Sequence, residues 1–167
     1  TKEMSPDECI EADQLLVGRN NTREYYNRRL RELRGYKDVV EVGEKLICLA
    51  NSREGFFNGS IWYVQDIIEY DDRGRVTVEL SSDDVMQDDC IAKLWVKSLR
   101  GEEVHFTERS GAQCMVSAQA VTVHKFQGSQ GKHIVLLDES YCAREHAHRH
   151  LYTGITRAQE RLTVVVD

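Results

Sequence analysis

Apolar positions along the chain fall into three regimes. Gln14-Leu15-Leu16-Val17-Gly18 is a short apolar run closed by glycine, and the stretch 22–34 that follows carries Tyr26, Leu30 and Leu33 at helical spacing. A strand, a loop and a helix are expected, with Thr22 or Asn21 capping the helix by accepting a hydrogen bond from its first turn. Residues 43–112 read differently. Leu46–Leu49, Ile61–Val64, Val76–Leu80 and Ala92–Val96 are short β-prone runs, and Asn58-Gly59 and Asp72-Arg73-Gly74 supply turns between them. Closely spaced strands without helical periods predict a small five-stranded barrel or curled sheet. From residue 119 the first pattern returns: Ala120–Val123, a glycine-rich loop, the fully apolar strand Ile134–Leu137, a helix over 151–161 and a last strand over 162–166. Strands alternating with helices predict an α/β fold, a parallel sheet whose chain is interrupted by a β-insertion.

The chain has 167 residues, 41% of them apolar and 30% charged, which suits a globular fold of about one domain with an insertion. No run reaches the roughly 18 apolar residues of a membrane helix, and the acidic start, Thr1 to Asp13, does not resemble a signal peptide. Membrane spanning and secretion are therefore not expected. Five cysteines, an odd number without a CxxC pair, signal neither a disulfide framework nor a zinc ribbon, and a reducing, cytoplasmic setting fits them. The net charge of −6 is unevenly spread. Residues 19–37 hold seven basic and two acidic side chains, whereas 38–112 hold eight basic and sixteen acidic ones, Asp83-Asp84 and Asp88-Asp89 among them. Overall acidity argues against unspecific coating of DNA and leaves room for a local polyanion site.

Candidate chemistry narrows quickly. Gly128-Ser129-Gln130-Gly131-Lys132-His133 lacks the glycine spacing and the terminal Ser or Thr of a phosphate loop, and without such a loop the Asp138-Glu139 pair behind an apolar strand has no bound triphosphate to serve. Cys142, His146 and His150 are four apart and could share a helix face, yet no further metal ligand or supporting partner is indicated, so a polar, partly exposed segment is expected there. No GxSxG occurs, and no clustered carboxylates with a lysine suggest a nuclease.

Two segments are specific in wording and order. Val121-Thr122-Val123-His124-Lys125-Phe126-Gln127-Gly128-Ser129-Gln130 closely resembles motif V of superfamily 1 helicases, and Leu151-Tyr152-Thr153-Gly154-Ile155-Thr156-Arg157-Ala158 closely resembles their motif VI. Leu15 to Arg23 looks like motif IV, a weaker match. Asn58-Gly59-Ser60-Ile61 and Ser117-Ala118-Gln119-Ala120 also look like the RecD and Dda branch. The resemblance implies the C-terminal, second RecA-like domain of a DNA helicase, formed by 1–42 and 113–167, with an SH3-like β-barrel insertion over 43–112. It also implies ATP with Mg2+ as cofactor, single-stranded DNA as partner, movement 5′ to 3′, and a cytoplasmic location in a bacterial or phage-infected cell.

Site residues follow from the same resemblance. Arg157 is the first candidate for a finger that stabilises charge on the phosphoryl oxygens in the transition state, and Arg23 the second, reaching the same phosphate from motif IV. Without the motif wording, Arg157 would read as a surface ion pair with Glu160 or Glu145. Thr122, His124 and Lys125 are implied on the single-strand track, and Gln127, Gly128 and Gln130 on the nucleotide side. Gln130 departs from the glutamate that often stands there and is expected to contact the ribose. Trp62, Tyr63 and Trp95 could stack bases, but a small barrel needs them as core.

The phosphate loop and acidic motif of the first RecA-like domain are not in this sequence, so the piece alone is expected neither to hydrolyse ATP nor to unwind DNA. Its opening on Thr1 rather than methionine fits an excised C-terminal fragment, and equally a processed chain. The competing expectation is a non-catalytic module, derived from a helicase domain, that binds single strands or protein.

Overall fold

In a computed structural model of the chain, residues 5–52, 55–82, 84, 87–105 and 111–166 are described; Asp83, of the acidic loop noted above, lies outside them. In chain order the elements are α1 (Pro6–Glu11), β1 (Gln14–Val17), α2 (Asn20–Leu33), β2 (Lys45–Cys48), β3 (Ile61–Tyr70), β4 (Arg75–Ser82), β5 (Cys90–Trp95), α3 (Val96–Leu99), β6 (Met115–Ser117), β7 (Ala120–Thr122), β8 (Gly131–Asp138), a 3-10 segment Ser140–His146, α4 (Ala147–Ile155) and β9 (Ala158–Val166). They form two compact units, one from residues 1–35 with 119–167 and one from 36–118.

The first unit is a four-stranded parallel sheet in the order β7-β1-β8-β9. Pleating sends alternate residues of β8 to opposite faces. Val135 joins Leu15, Val17, Ala120 and Leu30 in the core beneath α2, while Leu136 lies against α4, where a side chain at Gly154 would come within 2.9 Å of it. The two helices therefore cover opposite faces, as right-handed crossovers running in opposite directions from the sheet centre require.

Local details depart from the sequence pattern at two places. Neither Asn21 nor Thr22 caps α2: the N-cap position is Arg19, which makes no side-chain cap bond, and the Thr22 hydroxyl instead donates to Glu139 Oε1 at 2.7 Å. The helix expected over 151–161 spans Ala147–Ile155, so Arg157 follows a helix end rather than opening a helix, and β9 starts at Ala158.

The second unit is a five-stranded antiparallel sheet, β5-β4-β3-β2-β6, around a core that includes Leu46, Trp62, Val76, Leu80, Leu94 and Met115. Its edges at 36 and 118 lie outside the 43–112 read from the sequence, because Met115–Ser117 pairs with β2 as the fifth strand. Register shifts between Val64 and Asp66 and between Ile67 and Glu69 bend the long β3. Gln113 joins the outer strands: its amide donates to Lys93 O at 2.7 Å and its carbonyl accepts from Trp95 N at 3.0 Å, so the sheet curls toward closure. Trp62 is buried core, stacked at a tilt on Phe56, whereas Trp95 is half-buried with the Arg75 guanidinium 6.0 Å from its ring centre.

Candidate functional site

The motif V segment starts on β7, which lies at an edge of the sheet and is held there by a side chain. Asn27 of α2, buried, donates to Ala120 O at 2.9 Å and accepts from Ala120 N at 2.7 Å, occupying the backbone groups that β7 leaves open. Beyond Val123 the chain turns tightly. Phe126 N donates to Thr122 O, Gln127 N to His124 O and Ser129 N to Phe126 O, with Phe126 buried as the plug of the turn. Gly128 takes φ +90°, a conformation open to glycine at little cost. The Thr122 hydroxyl is buried and accepts the Lys125 amide at 3.4 Å, so it serves the turn itself. Lys125 is half-buried; His124 and Gln127 point to the surface.

Those two side chains form one wall of a groove of about 320 Å³, whose other wall is the 3-10 segment and α4. Its polar lining is His124, Gln127, His146, Arg149, His150 and Thr153. Burial pushes the His150 pKa down; Asp138 and Glu139 pull it back up and His124 lowers it further, and the net shift is downward. His146 Nε2 lies 3.6 Å from Glu145 Oε1 on the exposed side of the segment. Arg144, just before His146, has φ 49° and ψ −117°, a left-handed conformation unusual for a residue with a side chain. Among the described residues no group of three His, Cys, Asp or Glu is placed to hold a metal ion, Cys142, His146 and His150 included.

Arg157 stands elsewhere. Its carbonyl accepts from Gly131 N at 3.0 Å, at the amino-terminal end of β8. Its guanidinium is half-buried and donates to Thr153 O (3.0 Å), Ser129 O (3.2 Å) and Thr156 Oγ1 (3.0 Å). Among the described residues no carboxylate pairs with it, neither Glu160 nor Glu145, so its charge is met only by neutral oxygens, two of them carbonyls. Gln130 is close by in the chain and accepts from Gln159 Nε2 at 3.2 Å. Gly128 and Gln130 thus belong with Arg157, whereas Gln127 belongs with His124 in the groove.

Arg23 is not brought to Arg157. It lies one turn into α2, which starts at the carboxyl end of β1 and covers the face opposite α4. Seven residue steps of β8, about 23 Å at ~3.3 Å each, separate the two edges of the sheet. Arg23 pairs with Glu24 at 3.0 Å, and among the described residues its buried Nε has no partner.

Glu139, which the sequence offers only as half of an acidic pair with no triphosphate to serve, organises the carboxyl edge. Glu139, 2% exposed, accepts from Gly18 N (2.9 Å), Arg19 N (3.1 Å), Arg19 Nε (2.7 Å) and Thr22 Oγ1 (2.7 Å), and Arg19 Nη2 approaches its Oε1 to 2.6 Å. It does from β8 what an N-cap does from its own helix, placing a carboxylate at the positive end of α2. Burial alone raises its pKa, but the donors from Thr22, Arg19 and the Gly18 and Arg19 amides outweigh it and hold the carboxyl below its ordinary value. Gly18 is required here, since a Cβ would fall 2.7 Å from that of Glu139. The only sequence signal was the polar pair ending an apolar strand.

Residues 117–165, the segment holding the groove and Arg157, match the family model of the UvrD-like helicase C-terminal domain. No curated protein matches the chain. Among solved structures, the chain is similar to the Pif1 helicase from Candida albicans (13% identity, 93% of this chain and 45% of that one, TM-score 0.58). It is also similar to the Bacteroides Pif1 helicase in complex with ADP-AlF3 and single-stranded DNA (14%, 92% and 40%, 0.58) and to Bacteroides Pif1 bound to single-stranded DNA (15%, 90% and 39%, 0.57). The chain therefore spans less than half the length of these structures. The fold shared with these structures is an α/β one, with a parallel sheet resembling that of a RecA-like domain.

Proposed function

We propose that this chain is the C-terminal motor domain of an ATP-dependent DNA helicase of the RecD and Dda branch that translocates on single-stranded DNA. Its RecA-like part comprises residues 1–35 and 119–167, and its SH3-like barrel insertion residues 36–118. The observation that carries the reading is that the helicase-matched segment 117–165 folds into a single path, from a polar groove at one end to an arginine without a carboxylate partner among the described residues at the other. The Bacteroides relative crystallised with a nucleotide analogue and single-stranded DNA supports ATP and a single strand as ligands.

The residues present fit half of a nucleotide site. A guanidinium bonded only to neutral oxygens can exchange them for a phosphate, and Arg157 would then stabilise the charge that spreads over the phosphoryl oxygens. Gly128 and Gln130 flank it on the same edge. Mg2+ would take its protein ligands from the first RecA-like domain, and the nucleotide would lie between that domain and this one. Arg23, on the other face, is given no part in that step. His124 and Lys125, with Thr122 shaping their turn, and Gln127 in the groove with His124, face the strand. The location proposed is the cytoplasm of a bacterial or phage-infected cell; no helix among the described residues is long and apolar enough to cross a membrane.

In the intact enzyme Arg157→Ala should lower DNA-stimulated ATP hydrolysis by about a thousandfold, the lower range for an arginine finger. Unchanged hydrolysis would refute the assignment. The isolated chain should bind nucleotide barely and DNA weakly, with affinity falling steeply as salt rises. Tight, nucleotide-independent binding of a strand or a protein by the isolated chain would make it a free-standing binding module instead.

A further inference from the structure

The groove gathers three imidazoles, His124, His146 and His150, around the Arg149 guanidinium and the Gln127 amide. Motif V accounts only for the wall formed by His124 and Gln127. The opposite wall comes from the 3-10 segment and α4, and the strained Arg144 backbone turns that segment so that both Ala143 and His146 line the cavity. Strain of this kind persists where the surroundings hold it, and it gathers at ligand sites. We propose that this groove is a phosphate-binding site for the nucleic-acid backbone, with His146, Arg149 and His150 as contact residues, whose grip strengthens when His150 carries a proton. The inference rests on the strand-binding reading above.

A neutral imidazole offers one N–H, and a protonated one offers two together with a positive charge; phosphodiester oxygens only accept. Among the lining side chains the permanent charge is that of Arg149. The groups facing His150 are Asp138 and Glu139 from the end of β8, His124 from the β7–β8 connection, and His146 and Arg149 from its own segment. The two carboxylates are already engaged: Asp138 accepts the Ser140 amide at 2.9 Å, and Glu139 is surrounded by Arg19, Thr22 and the amides before α2. His146 has Glu145 beside it, facing solvent. Burial pulls the His150 pKa down in the empty groove, which disfavours the charged form until a phosphate arrives to favour it. A ligand that prefers the protonated form raises the pKa of that group, and each unit gained is worth up to about tenfold in affinity on the acid side.

The test uses the full chain and a fluorescein-labelled oligothymidylate, with anisotropy read between about pH 8 and pH 6 at constant ionic strength. The dissociation constant should fall at least about tenfold over that range. His146→Gln with His150→Gln should flatten the dependence to within about threefold, while His148→Gln, exposed on the same helix and outside the groove, should leave it unchanged. Proton NMR of the unmutated chain gives a second readout, in which the His150 titration should move upward when the oligonucleotide is bound. Binding that is independent of pH, a double variant that keeps the slope, or a His150 titration indifferent to DNA would each overturn the proposal and leave strand binding standing. Absence of binding at every pH would overturn the strand-binding reading as well.

Discussion

Glu139→Ala tests the carboxyl edge of the parallel sheet directly. The substitution removes one acceptor shared by two backbone amides, the Thr22 hydroxyl and the Arg19 guanidinium. Counting about 1 kcal/mol for each amide and for the hydroxyl, and nothing for Arg19, whose side chain is 53% exposed and regains water, the expected loss is about 3 kcal/mol. The sign of the pH dependence follows from the depressed carboxyl. A group whose folded pKa lies below its unfolded value, about 4.3 for Glu, contributes fully above that value and loses its contribution as pH falls through the folded pKa. Urea titrations followed by far-ultraviolet circular dichroism read the right unit, because α1, α2 and α4 lie there while both tryptophans, Trp62 and Trp95, lie in the other. At neutral pH the midpoint should drop with an unchanged slope, and Glu139→Gln, which keeps the shape without the charge, should show less loss of stability on acidification than the unmutated chain. A neutral-pH stability within about 0.5 kcal/mol of the parent would refute the clasp, since that is the range of an ordinary surface substitution.

Two further outcomes follow from the same unit. Asn27→Ala leaves the amide and the carbonyl of buried Ala120 without partners and should cost about 2–3 kcal/mol, with faster hydrogen exchange at Ala120 as the local readout. Arg144→Gly relieves a left-handed conformation at φ 49° and should raise thermal stability by about 1 kcal/mol, measured as an increased midpoint in the same dichroism signal.

What could be read in advance was what repeats locally. The apolar run of β1, the spacing of Tyr26 and Leu30 on α2 and the uninterrupted Ile134–Leu137 each carry their own signal, and each folds where expected. The elements misjudged are those stabilised by partners distant in sequence. Polar Gln159, Glu160 and Arg161 hide the start of β9, because that strand lies at the sheet edge and pairs with β8 on one side only. Gln65, Asp66 and Glu69 likewise hide the second half of β3, which β4 holds in place. Met115–Ser117 is too short to show a period and becomes a strand by pairing with β2, about seventy residues earlier in the chain. At the candidate site, motif wording singled out His124, Gln127 and Arg157. Glu139 and Asn27 needed the fold, since their partners lie about 120 and 93 positions away.

The distribution of those residues also separates two jobs that a motif treats as one. Thr122 leaves the sheet at the carboxyl end of β7 and Gly131 re-enters it at the amino end of β8, so the segment between them runs the height of the sheet on the α4 side. His124 and Gln127 are spent at the groove, and Ser129 receives the Arg157 guanidinium at the far edge. Phe126, buried between these ends, fixes one to the other, and Gly128 supplies the turn that redirects the chain. A change of ligand at either end therefore meets the same short, packed segment. On the motor reading, that is the physical route by which a phosphate drawn to Arg157 would alter the grip of the groove, with Arg23 and α2 on the opposite face left out of the path.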